Sequence, residues 1–555
     1  MEVVSVAGKL RGIAKISRTS FLSIALLASA AYGQGFKIAQ ISPPGATFAQ
    51  AAALNNKGTV VGLYNDSTGA TIGFSFASGK YTKIVFPGSV NFTRADGVND
   101  SGTIAGDFIG SDNFFHGYTL TNGVFTQYDV NKGVISTSVF GINNAGTLVG
   151  IAGGEGFINI NGTVSLFYAG ATGNATFTYA VNNSNNAVGQ YIDASSNQHG
   201  FYRAASGAIT LIDVPNSTLT ICDGINDSGE ITGWYNDSAG TPHGFTDIGG
   251  KFATSDLPTI SGINNSGTYL GFYYAAPFVN GYAQVYGYEA SPVTFKFSTL
   301  QVPKAQSTSI YDVNDTGTAV GVYTSSTGTS HGLDATTKSE KNLDDPKAQA
   351  GTTSPEAINA SGVVVGFYTN SSGNPQAFEY KSGTYTDIDI TGATQSAAYG
   401  INDSGEVSGL FVDASGNQHG FLLNGTKFTQ LDVPSATESL GWGVNNSGTV
   451  ALQWVDSVGE FESSTYNGST YTTVAVPGFI ETGAHGIDKN GDIAFSVIDL
   501  DGNAHGGVLK AGSFYFFDDP TGTQTRADGI NDGGVVVGRF LQGNGTDFDG
   551  FDATF

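Results

Sequence analysis

The chain has 555 residues, 79 of them glycine, with 13% charged side chains and 47 acidic against 23 basic residues for a net charge of −24. A surface of that sign repels nucleic acid and anionic membranes, which argues against polyanion partners and leaves solubility as the plain reason for the acidity. The single cysteine, Cys222, excludes an intramolecular disulfide, a cysteine zinc site and dithiol redox chemistry, and reads as a small core residue.

The N-terminus reads as a signal peptide over 1–34. Lys9, Arg11, Lys15 and Arg18 precede a short apolar run from Phe21 to Ala31, and Ala28-Ser29-Ala30 offers a small-x-small cleavage site. The expectation is a secreted or cell-surface protein. The apolar run falls short of the roughly 20 residues a membrane span needs, and no later stretch approaches that length.

The remainder is one phrase repeated, clearest at Gly400 to Pro434, GINDSGEVSGLFVDASGNQHGFLLNGTKFTQLDVP. Its asparagine falls at 55, 99, 143, 182, 226, 264, 314, 359, 402, 445 and 531, with Asp488 in its place once, at spacings between 38 and 50 residues. Within a copy, four short β-rich runs are separated by Asn/Asp/Gly turns, and Val407, Gly409 and Phe411 alternate with Ser408 and Leu410 at a strand period. Four antiparallel strands in a period of the low forties is one β-propeller blade.

Twelve copies exceed the usual four to eight blades of one ring. The segment FKIAQISPP at Phe36 to Pro44 aligns with FKFSTLQVP at Phe295 to Pro303, and the match runs on through Asn55 and Asn314. This predicts an all-β chain of tandem propellers, six blades over 35–292 and six over 293–555. A seven-plus-five division after HGLDATT at His331 to Thr337 and a single twelve-bladed ring are the alternatives. The first segment resembles a fourth strand without its first three, and the last, ending GFDATF, resembles three strands without a fourth. Their pairing is expected to close a ring and cover both sheet edges.

The GIN-[ND]-x-G phrase with HGF at His199, His243 and His419 resembles the extracellular HAF-type repeat family. The resemblance implies an exported bacterial repeat protein and lends no activity to any residue.

His116, His199, His243, His331, His419 and His505 each stand 17 residues after their anchor. A residue reused in copy after copy is a packing or hydrogen-bonding element, and its spacing matches no local metal-ligand pattern. DASGNQ at Asp413 and DLDGNA at Asp499 resemble calcium loops without the closing bidentate Glu, so turn chemistry explains them and no cofactor is expected beyond occasional Ca²⁺.

Variation points to a binding position. The residue before each anchor is always Leu, Val or Ile, and the one before that is Gly or Ala except at Asp312. Three before the anchor the residues are Ala52, Asp96, Phe140, Tyr179, Asp223 and Ser261, then Tyr311, Glu356, Tyr399, Trp442, His485 and Asp528. At the mouth of a central channel the second set would stack on a sugar and hydrogen-bond its hydroxyls. The first set, with Ala52 and Ser261, reads as poorer. The expected function is an exported, non-catalytic, monomeric protein that binds a glycan or an extracellular protein. A secreted carbohydrate hydrolase or lyase and a purely structural surface protein are the alternatives.

Overall fold

The computed structural model describes residues 34–46, 48–130, 136–255, 259–279, 282–336, 339–476, 479, 481–499, 502–519, 522–543 and 545–554. The signal peptide read over 1–34 lies outside them apart from Gln34. The described chain holds strands and no helix, and most of the strands follow one another as antiparallel meanders of four. It divides into two compact units, Ile38–Pro292 and the part from Val293 onward together with the described residues before Ile38.

The Asn402 blade shows how the phrase folds. Its strands are Gln395–Ile401, Val407–Val412, Gln418–Asn424 and Lys427–Leu431, paired in that order. Asn402 Oδ1 accepts the N–H groups of Ser404 at 3.0 Å and Glu406 at 2.9 Å, which ties the first turn shut. Its Nδ2 then donates to the Asn445 carbonyl at 2.9 Å, in the next blade. The same link joins Asn55 to Asn99, Asn99 to Asn143, Asn143 to Asn182 and Asn182 to Asn226, and Asn264 returns to Asn55. In the second unit Asn314 links to Asn359, Asn359 to Asn402 and Asn445 to Asp488, while Asn531 returns to Asn314. The anchors thus run in two separate circles, the first open between Asn226, whose Nδ2 donates to Glu230 Oε2 at 3.3 Å, and Asn264. Every anchor is buried, and in all but Asn226 and Asp488 the side-chain amide satisfies its own turn and the neighbouring blade at once.

Asp488 can accept but not donate, so the link onward to Asn531 is missing. Asp488 Oδ2 also accepts Asn490 Nδ2 at 3.0 Å, so the substitution that keeps the Oδ1 acceptor used by the N–H groups of residues 490 and 492 and adds the donor without facing it to another is Asp488→Asn with Asn490→Ser, the pair that Asn445 and Ser447 form in the preceding blade. The double substitution is expected to raise stability by about 1 kcal/mol, the net worth of one hydrogen bond, read as a higher melting temperature. An unchanged or lower midpoint would remove the circle as a stabilising device.

Two glycines explain most of the phrase. A Cβ on Gly400 would lie 2.3 Å from the Trp442 carbonyl oxygen of the adjacent blade, so inner strands meet there only without a side chain. A Cβ on Gly409 would lie 2.1 Å from the Ala397 carbonyl oxygen and 2.6 Å from the Phe421 ring. Gly409 faces Phe421 across the strand pair, and the fully buried ring occupies the space the missing side chain leaves. Where strand two carries a large residue, strand three gives way: Leu452 faces Ser464, and Phe495 faces Gly507. Volume across the pair is shared, as close packing demands.

The ring closure differs from the sequence expectation. The strand beside Phe548–Thr554 is Lys296–Leu300, in the register Thr299 to Phe551, whereas Gln34–Ile41 lies beside Tyr282–Thr294. Two circles need two closures. The duplicated motif supplies one fourth strand ahead of each half, so each half covers its own open edge and neither end of the chain has to find the other.

Candidate functional site

The position three before the anchor is variable because it is bulged out of the sheet. In the Asn402 blade the pairing steps from Ala398 opposite Gly409 to Gly400 opposite Ser408, leaving Tyr399 without a partner. The same shift skips Ala52, Phe140, Tyr179 and Asp223 in the first unit and Tyr311, Glu356 and Asp528 in the second. At Trp442 and His485 the shift spans two residues. A bulge re-aims a side chain that strict alternation would send elsewhere, here out of the blade and into the channel.

In the second unit all six predicted residues, Tyr311, Glu356, Tyr399, Trp442, His485 and Asp528, line one cavity of about 110 Å³. They largely fill the channel with one another. The Tyr399 and Trp442 rings lie 4.4 Å apart and Trp442 and His485 5.0 Å apart, while Arg539 stacks 5.2 Å over Tyr311. Glu356 Oε1 accepts the Ser354 hydroxyl at 2.6 Å. His485 Nδ1 donates to the Ala527 carbonyl at 2.9 Å, and burial holds its pKa below the ordinary imidazole value. Below them Tyr399 packs with Leu410 and Leu440 in an apolar plug.

The first unit differs. Ala52, Asp96, Phe140, Tyr179, Asp223 and Ser261 line a bowl of about 540 Å³, together with Arg94, Phe177, Trp234 and Phe272. The set that the sequence rates poorer therefore surrounds the larger space, because Ala52 and Ser261 leave room that Trp442 and His485 take up in the other unit. Sequence reasoning missed Arg94 and Trp234. Arg94 sits two residues before Asp96, and Trp234 lies on the strand paired with that of Asp223, positions that a comparison limited to the bulge does not sample.

The polar groups of the bowl are held by a few contacts. Arg94 grips the fully buried Asp107 through two bonds, Nε to Oδ1 at 2.9 Å and Nη2 to Oδ2 at 2.7 Å, and lies 5.3 Å over the Phe140 ring. Phe140 and Tyr179 are 5.4 Å apart, and the Tyr179 hydroxyl accepts Gln190 Nε2 at 2.8 Å. Asp96 Oδ2 is 3.5 Å from Arg94 Nε and accepts no hydrogen bond. Burial raises the Asp96 carboxyl above the usual range against the pull of Arg94. Burial also pushes Asp223 up to about 8, although the Trp234 indole hydrogen-bonds its carboxylate.

A raised carboxyl reverses the usual acid sign. From about pH 4, where Asp titrates in the unfolded chain, to about 8, the folded state binds more protons at Asp223 than the unfolded one, so its contribution to stability falls as pH rises. Asp223→Asn is expected to remove that slope, gaining on the unsubstituted protein at pH 9 relative to pH 4 in paired thermal melts. Equal differences at the two pH values would place Asp223 in contact with water instead.

No family model and no curated protein matches the chain, so the HAF-type resemblance stands on the repeats themselves. Among solved structures the chain is similar to the SapL1 lectin in complex with alpha methyl fucoside, at 11% identity and a TM-score of 0.32, over 45% of this chain and 94% of that one. It is also similar to the BP39L lectin from Burkholderia pseudomallei, at 10% identity and TM-score 0.25, over 61% and 95%. A putative TolB from Agrobacterium tumefaciens matches at 11% identity and TM-score 0.33, over 52% and 98%.

The repeated histidines lie away from both channels. His419 Nδ1 is 2.9 Å from Asp432 Oδ1, Nε2 is 3.6 Å from Asp413 Oδ2, and the ring stacks 5.1 Å from Phe411. His116 and His505 stand between two aspartates in the same way. The Asp413 turn uses its own carboxylate, with Oδ1 accepting the N–H groups of Ser415 and Asn417 and Oδ2 accepting Asn417 Nδ2. Gly328-Thr329-Ser330-His331-Gly332 spells G-x-S-x-G, which a reading by repeats passes over. It forms a turn into the strand Ser330–Thr336 rather than a strand-to-helix elbow, and adjacent residues on a strand point to opposite faces.

Proposed function

We propose that the protein is an exported, non-catalytic binding protein, built as two six-bladed propellers, that takes a neutral carbohydrate into the bowl of the Ile38–Pro292 unit. The bowl itself carries the reading. Its volume of about 540 Å³ falls in the range of roughly 300–1,000 Å³ that small-molecule sites occupy, while the 110 Å³ of the other channel falls below it. Phe140, Tyr179, Phe177 and Trp234 offer flat apolar faces to the C–H surface of a sugar ring. Asp96 and Asp223, held toward the protonated form, can both donate and accept without presenting a charge, and Arg94 is already neutralised by Asp107.

The same carboxyls favour holding over cleaving. A glycosidase needs one carboxyl protonated and its partner ionised, environments that push the two apart, whereas burial moves Asp96 and Asp223 in the same direction. The test is a glycan array of the chain after signal removal, run beside a polysaccharide-degradation screen. Binding of neutral oligosaccharides without product release is the expected pair of results. Release of product would replace this reading with a hydrolase or lyase, and an array without binding would leave the bowl without a carbohydrate ligand.

A further inference from the structure

The second unit carries a buried charge that no direct contact in its own fold pairs. Arg526 and Arg539 face each other directly across the first two strands of the Asn531 blade, an arrangement of like charges that destabilises a sheet. Both are interior, with Arg526 6% and Arg539 7% exposed, and both line the 110 Å³ cavity. Arg539 is compensated by Asp528, Nη1 to Oδ2 at 3.2 Å. Among the described residues Arg526 has neither a hydrogen-bond nor an ion-pair partner. The cavity is also lined by Glu356, Asp312, Asp315, Asp403 and Asp532, none of which forms an ion pair with Arg526: Glu356 holds Ser354, Asp312 accepts the N–H groups of Val313 and Ile358, Asp403 accepts Ala360 N–H and Asn446 Nδ2, and Asp532 accepts the Lys489 N–H. Burial and the neighbouring Arg539 pull the Arg526 guanidinium down to about 10, so it remains charged at neutral pH. Asp528 and Glu481 offset part of that charge from beyond ion-pair distance, but a buried charge with no direct partner still destabilises a fold.

We propose that this cavity is a binding site for one small oxyanion, gripped by Arg526 and Arg539 at the centre of the second unit's channel. The space sets the size of the ligand. A cavity of about 150 Å³ accommodates benzene, with six heavy atoms, so 110 Å³ suits a sulfate, a phosphate or a single carboxylate group and not a pyranose ring. The guanidinium fork matches such an anion, two oxygens to two N–H groups. The anchor end of the channel is lined by the amides Asn314, Asn402, Asn445 and Asn531 and by Asp315, Asp403 and Asp532, so an anion reaches the two arginines past a polar and partly acidic rim. This site is independent of the carbohydrate bowl, which belongs to the other unit.

The test is thermal unfolding and calorimetric titration of the mature chain in sodium sulfate, phosphate, acetate or glucuronate, each against sodium chloride at matched ionic strength. The expected result is a rise in the melting temperature beyond chloride and saturable binding, with Arg526→Met weakening binding at least tenfold and Arg526→Lys weakening it less. Without added anion, Arg526→Met should melt no lower than the unsubstituted protein, since it removes a lone buried charge. Sulfate or phosphate acting alone identifies an inorganic ligand, whereas glucuronate acting more strongly identifies the carboxylate of a sugar acid. The proposal is overturned if none of the anions exceeds chloride, or if Arg526→Met responds as fully as the unsubstituted protein.

Discussion

Gly409→Leu is expected to cost more stability than any surface substitution in the Asn402 blade, and Phe421→Ser added to it is expected to return part of the loss. The new side chain would begin 2.1 Å from the Ala397 carbonyl oxygen and run into the Phe421 ring, so either the first strand withdraws or the ring leaves its place. Overpacking of this kind costs typically 1–3 kcal/mol and more where backbone stands in the way. Phe421→Ser alone empties the space of a fully buried ring, a loss in the range of about 3–5 kcal/mol for Phe truncation. Together the two changes recreate the facing pair Leu452 and Ser464 that the next blade already uses. The coupling should lie within the range of about 0.5–3 kcal/mol found for residues in contact, and denaturant unfolding of the four chains measures it. Strictly additive losses would mean that the facing volumes are not shared.

Trp234→Ala is expected to abolish most carbohydrate binding with a small effect on stability. Trp234 lines the bowl, stands edge-on to Phe272 with ring centroids 6.4 Å apart, and hydrogen-bonds Asp223 through its indole. It is only partly buried, so its removal opens space toward solvent and leaves no sealed cavity. As an aromatic anchor in a ligand pocket it should be worth on the order of 2–4 kcal/mol, roughly thirtyfold to a thousandfold in affinity. Trp442→Ala, in the channel of the other unit, should leave carbohydrate affinity unchanged.

Much of the fold is legible in the sequence because each of its rules is local and repeated. The period, the turn residues and the strand alternation predict four-stranded meanders, and the structure contains them. The uniform Leu, Val or Ile before each anchor and the small residue before that mark where inner strands meet, as Gly400 against Trp442 makes plain. Closure was less legible. Phe36–Pro44 and Phe295–Pro303 are near copies, so sequence likeness alone pairs either with the C-terminal strands, and only the separation into two circles decides.

The channel residues are legible in the sequence as a set, and the space they leave between them is not. A bulge needs one extra residue and leaves no mark in composition, yet it is what turns Tyr399 and Asp223 inward. Reading residue types at that position predicts which side chains converge, but not how much space they leave. Two tyrosines, a tryptophan, a histidine, a glutamate and an aspartate at the narrow centre of a ring leave about 110 Å³, whereas the set with Ala52 and Ser261 leaves about 540 Å³. The lone charge on Arg526 was equally hidden, since its significance depends on what does not reach it across three blades.

The chain has three tryptophans, Trp234, Trp442 and Trp454, and only Trp234 lines the bowl. Replacing Trp442 and Trp454 by Phe therefore leaves a single reporter at the proposed site. Titration of that variant with the neutral oligosaccharide that binds best on the array should change its tryptophan fluorescence saturably, with the same dissociation constant that calorimetry gives for the unsubstituted protein. Calorimetric binding with no change in Trp234 emission would place the carbohydrate somewhere other than the bowl of the first unit and contradict the account.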